Sequence, residues 1–209
     1  MLPRRIVSAA RTRPAALFAA LLVSLAALAL PVGSAAGAGD RDPSMVPVVK
    51  PIDLDGLFAK LKQAPDVTSA AITSHAIEQR WARSGSDTAD LLMQRAVAAA
   101  AAGDRPLAIE ILDRVIALEP DWAEAWNRRA TVFFLEDDLS RSVADIEEVL
   151  LREPRQYAAL MGLAGILERV GDERKALQAY ERVLTIYPLL PSAQKGADRL
   201  RAKFGDVPI

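Results

Sequence analysis

The chain has 209 residues, with 26 basic and 27 acidic side chains, a net charge of −1, one histidine and no cysteine. That balance argues against a surface for nucleic acid or anionic lipid, both of which ask for clustered positive charge. It also removes the usual zinc sites and any Cys–His nucleophile pair.

Residues 1–38 carry the pattern of a secretory signal peptide. Arg4, Arg5, Arg11 and Arg13 precede an apolar run from Ala15 to Leu30, and Ala36-Gly37-Ala38 offers a small-residue cleavage site. The run falls short of the roughly 20 residues a membrane span needs. Its removal takes four arginines and no acids, moving the net charge from −1 to −5. Retention of the segment as an anchor is the alternative, and membrane contact is expected only in that case.

Residues 39–51 hold Pro43, Pro47 and Pro51 with few large apolar side chains, the composition of a flexible linker. Helical spacing begins in residues 52–86. Leu54, Leu57, Phe58 and Leu61 make one stripe, ended by Pro65; Val67, Ala70, Ala71, Ser74, Ile77 and Trp81 make another, ended by Ser84-Gly85-Ser86. This predicts a helical hairpin abutting the next unit and capping the open end of a stack.

Pro120, Pro154 and Pro188 then recur 34 residues apart and close three windows, 89–122, 123–156 and 157–190. A period of this size is the mark of stacked helix-turn-helix units. The turns are Ala102-Gly103-Asp104, Glu136-Asp137-Asp138 and Val170-Gly171-Asp172, in which Gly relieves strain and Asp caps the following helix. Asp121 and Glu124 have the spacing of a capping box. Leu92, Trp126 and Leu160 occupy one matched position of the first helices, with Ala96, Ala130 and Ala164 four residues on. The second helices align Ala108, Ser142 and Ala176, then Leu112, Ile146 and Tyr180, then Val115, Val149 and Val183. Large side chains form the buried stripe and small ones mark close helix crossings.

Arg95 and Arg129 interrupt the apolar positions. Asp145 lies sixteen residues after Arg129 on the partner helix, which predicts an ion pair across that hairpin; the first window offers Ile111 instead. After Pro191 a capping helix is expected over 191–204, with Ala193, Ala197, Leu200 and Phe204 inward and Lys195, Asp198, Arg199, Arg201 and Lys203 facing solvent.

No catalytic constellation emerges. His75 stands with only Glu78 on its helix face, and Asp40 and Asp42 are too sparse for a calcium loop. No glycine-rich phosphate loop or dinucleotide fingerprint occurs. No enzyme activity, cofactor, metal or small-molecule substrate is expected.

The three windows resemble the tetratricopeptide repeat family. Trp126, Ala130, Phe133, Ile146 and Pro154 fill the family pattern in the second window; Ala164, Gly171, Ala176, Tyr180 and Pro188 fill it in the third. The resemblance implies an all-α fold, a right-handed α-solenoid of three repeats between the N-terminal hairpin and the capping helix. It also implies a protein or peptide partner on the concave face lined by the first helices. Carried onto this chain, that face comprises Met93, Val97, Glu124, Asn127, Thr131, Phe134, Met161 and Glu168. The chain is similar to small exported repeat proteins of Gram-negative bacteria, which implies a periplasmic scaffold in cell-envelope assembly or integrity. A membrane-tethered accessory subunit is the alternative.

Overall fold

The computed structural model describes residues 53–205. Among them the fold is all-α, with nine helices: α1 (Leu54–Lys62), α2 (Val67–Trp81), α3 (Asp87–Ala101), α4 (Arg105–Leu118), α5 (Ala123–Leu135), α6 (Leu139–Arg152), α7 (Tyr157–Val170), α8 (Glu173–Ile186) and α9 (Pro191–Phe204). The signal-peptide and linker expectations, 1–38 and 39–51, lie outside the described residues.

Helices α3–α4, α5–α6 and α7–α8 pair as antiparallel hairpins, and local chemistry explains each boundary. Asp104, Asp138 and Asp172, spaced 34 apart, each cap a second helix by accepting the backbone N–H three residues on. The residue before each cap is left-handed: Gly103 at φ 83°, Gly171 at φ 85°, and Asp137 at φ 68° where the other repeats have glycine. The three spacer prolines end their repeats, and their carbonyls are all used. Pro120 accepts from Trp126 at 2.9 Å and Arg152 at 2.5 Å, Pro154 from Arg182 at 3.3 Å, and Pro188 from Gln194 at 2.9 Å.

The core forms as adjacent hairpins cover each other. Ala125 and Val132 of α5 are buried among α3 and α4; Ala159 and Ile166 of α7 are buried with Ile146 and Val149 of α6; Ala193 and Leu200 of α9 are buried with α7 and α8. These residues occupy the third and tenth places of successive 34-residue units, so one pair of slots recurs in the apolar stacking of each unit on the one before. Ser142 replaces the usual small residue of the second repeat and gives its hydroxyl to the Ala130 carbonyl at 2.8 Å. At the matched first-helix position only Leu160 is fully buried. Trp126 is half-exposed, with the Arg129 and Arg152 guanidinium groups 5.0 and 4.7 Å from its ring.

Two expectations change. The capping box of Asp121 and Glu124 does not form: Trp122 is the N-cap residue of α5 and makes no side-chain cap. Glu124 is buried and bonded elsewhere. The α1–α2 hairpin, in turn, does not stack on α3. Its buried Leu57, Phe58, Leu61, Ala70, Ile77 and Trp81 join the cluster of α7, α8 and α9, and none joins the cluster of α3 and α4. Aromatic chemistry draws it there. Phe58, Trp81, Tyr157 and Tyr187 form a chain of rings with centroids 5.8, 5.2 and 5.4 Å apart. The Tyr157 hydroxyl bonds Glu78 at 3.0 Å, and Arg155 spans the Phe58 ring and Asp55 at 4.2 and 2.5 Å. Trp122 gives its indole N–H to the Trp81 carbonyl at 2.7 Å. The hairpin is thus a strap from the start of α5 to the end of α8.

Candidate functional site

The expected concave residues come from α3, α5 and α7, and none of the eight is fully exposed. They divide into two groups by what they touch.

Glu124, Asn127 and Glu168 have internal partners. Glu124, 6% exposed, accepts from the Asn127 amide at 3.0 Å and the Gln156 amide at 2.7 Å, and pairs with Arg128 at 2.6 Å. Gln156 is fully buried and lies directly before α7, so this network joins the second first-helix to the third. A buried carboxylate is tolerated when its lone pairs are filled in this way. Glu168 pairs with Arg199 of the capping helix at 2.6 Å. It also contacts the Tyr180 hydroxyl, whose proton is held tightly, first by burial and then by its hydrogen bond to Glu168. Glu124 and Glu168 tie elements together, and the Asn127 amide supports Glu124 from within α5.

Met93, Val97, Thr131, Phe134 and Met161 carry no ion pair. Met93 is buried and the other four are half-exposed. The Thr131 hydroxyl bonds the Asn127 carbonyl at 2.9 Å, leaving its methyl free to pack. Phe134 packs against the α5–α6 cluster with the Arg169 guanidinium 5.5 Å from its ring centroid. Met161 packs against the cluster shared by α7, α8 and the strap. Val97, Thr131, Phe134 and Met161 are therefore the half-exposed members that are apolar or present a methyl, with Arg169 beside Phe134.

The Arg129–Asp145 pair forms bidentately at 2.9 and 2.8 Å, and Arg129 also reaches Asp113 of the preceding repeat at 2.6 Å. Asp145 is the largest cause holding that guanidinium protonated above its ordinary range. Arg95 is exposed and has no acidic partner among the described residues. His75 is exposed, with Gln79 at 3.4 Å. On α9, Arg199, Arg201 and Lys203 are spent on Glu168, Glu181 and Glu173. Among the described residues no three His, Asp or Glu side chains converge as a metal site, and no helix is long and apolar enough to cross a membrane.

Sequence patterning offered no pairing for Tyr157, Tyr187 and Arg155. The available signal was two large aromatics, Tyr157 and Tyr187, at the two ends of one 34-residue window.

This geometry has counterparts among known proteins. A tetratricopeptide repeat family model matches residues 90–121 and 158–189. A TPR repeat-containing protein of Rhizobium etli is 44% identical over 150 residues, covering 72% of this chain and 74% of that protein. The chain belongs to the tetratricopeptide repeat family. Among solved structures, the first TPR domain of Spaghetti bound to an HSP90 peptide has a TM-score of 0.52 at 16% identity, covering 56% of this chain and 92% of that one. The Sgt2 TPR domain of Aspergillus fumigatus has a TM-score of 0.52 at 18% identity, covering 59% and 87%. MamA has a TM-score of 0.52 at 18% identity, covering 73% and 81%. At these identities the likeness is one of fold.

Proposed function

We propose that this protein is a non-enzymatic interaction scaffold of the bacterial periplasm, and that it holds an apolar peptide or helix on the row Val97, Thr131, Phe134 and Met161. The observation that carries this reading is the division within the concave positions. The polar members are consumed by internal bonds, while the half-exposed members are apolar or present a methyl. Phenylalanine and methionine adapt to varied apolar anchors. Family membership supports protein binding in general, and a solved domain of the same fold holds a peptide. Export is supported by the arginines, apolar run and small-residue site of residues 1–38.

The test has two parts. N-terminal sequencing of protein from fractionated cells should find a mature start near Gly39 in the periplasmic fraction; an intact Met1 in the membrane fraction would overturn the soluble reading. Phe134→Ala with Met161→Ala should weaken partner capture, measured by crosslinking in intact cells, while helicity by circular dichroism stays near parental. Recovery of the same partners at the same level by the double variant refutes the groove.

A further inference from the structure

Because one pair of slots recurs in the apolar stacking of each unit, the slots can be followed up the array to where they run out. The third-place residues are Leu91, Ala125, Ala159 and Ala193; the tenth-place residues are Ala98, Val132, Ile166 and Leu200. In α5, α7 and α9 all of these are at most 3% exposed. In α3 they are open: Leu91 is 49% exposed and Ala98 is exposed. Between them, at the place where Arg129 grips Asp145 and Asp113, stands Arg95 with no acid among the described residues. Leu91, Arg95 and Ala98 are spaced i, i+4, i+7 and share one stripe of α3. The strap, which would otherwise be the natural cover, is docked on the third repeat.

We propose that this end of the array is a second docking surface, and that its occupant is an amphipathic helix of another polypeptide carrying a carboxylate between two apolar residues on one stripe. The chemistry of the occupant is read from the next interface down. There α4 covers the same slots of α5, with Asp113 bonding Arg129 at 2.6 Å and Ile109 and Ile116 in the cluster that holds Ala125 and Val132. Ile109, Asp113 and Ile116 are themselves spaced i, i+4, i+7, the complement of the stripe on α5. A helix of that pattern laid on α3 buries Leu91 and Ala98 and supplies Arg95 with its missing partner. The half-buried Ile111 on α4 stands where Asp145 stands in the second repeat. Arg95 therefore has no acid from its own hairpin and depends on one from outside. This surface is separate from the Phe134–Met161 row, so either can fail without the other.

The probe is a peptide with the α4 sequence, Arg105–Leu118, held helical by a lactam bridge on its outer face, and titrated by fluorescence anisotropy into the purified protein. Binding is expected to weaken about tenfold or more with Arg95→Glu in the protein, or with a lysine for Asp113 in the peptide, and to return when the two changes are combined. Phe134→Ala with Met161→Ala should leave this binding unchanged. Absence of peptide binding, or binding indifferent to Arg95→Glu, overturns the proposal. Sedimentation equilibrium of the protein alone decides against a second copy as occupant. A dimer that Arg95→Glu converts to monomer would overturn the assignment to a foreign helix; a monomer at all concentrations upholds it.

Discussion

The Tyr157 hydroxyl lies 3.0 Å from a carboxylate oxygen of Glu78, two groups separated by 79 positions in the chain. This bond, beside the tilted Trp81–Tyr157 ring pair, is one of the ties by which a short hairpin holds a distant repeat. Tyr157→Phe should cost about 1 kcal/mol, the net worth of one such bond, measured by urea denaturation. The phenol is pushed above its ordinary range by burial first, with the Glu78 charge adding to it. The folded protein therefore keeps that proton more tightly than the unfolded chain does. The associated stability is complete below the ordinary tyrosine value near 10 and is lost as pH rises beyond it. Between about pH 10 and 11 the parent should lose stability more steeply than Tyr157→Phe, by roughly 1 kcal/mol per unit. Parallel curves would contradict this account.

Arg129 and Asp145 should respond asymmetrically to deletion. Arg129→Ala strands a carboxylate whose side chain is 5% exposed, and should cost about 3–5 kcal/mol. Asp145→Ala leaves Arg129 with Asp113 and the Trp126 ring, so a smaller loss is expected. Equal losses in a denaturation series would mean that Asp113 contributes nothing.

Asp137 is the described residue with positive φ that is not glycine, at 68°. An L side chain is strained there by roughly 1–2 kcal/mol, somewhat less for Asp. Asp137 also pairs with Arg169, but a surface pair of this kind is worth at most about 1 kcal/mol. Asp137→Gly should therefore hold or raise the melting temperature, by up to about 3 °C. A fall of several degrees would show that the ion pair outweighs the strain.

Gly196 gives the opposite case. Its backbone is helical, and an added Cβ would sit 2.6 Å from a Tyr180 ring carbon. Alanine favours a helix by about 1 kcal/mol over glycine, whereas overpacking a rigid ring costs about 1–3 kcal/mol. Gly196→Ala should thus lower stability and loosen α9 first, visible as faster amide exchange over Pro191–Phe204. Stabilisation would mean that the ring yields.

What could be read from the sequence follows the range of each interaction. The proline spacing, the Asp104, Asp138 and Asp172 caps and the Arg129–Asp145 pair all fall within one repeat, so a 34-residue period exposes them. The extra reach of Arg129 to Asp113 crosses into the neighbouring repeat and was not read. Glu124 illustrates the harder case. Its position marks it as a concave or capping acid, and only the fold reveals that Gln156, 32 residues away, fills its lone pair. The docking of α1–α2 was least legible. Trp81 and Tyr157 meet through no period, and an apolar stripe shows that a face is buried without showing against what.

An array in which each unit touches only its neighbours yields to tension as a spring does. Here the Trp122–Trp81 bond and the Trp81–Tyr157–Tyr187 rings bolt the foot of the first window to the third repeat. A load along the array must shear the bolt before the third repeat can swing from the second.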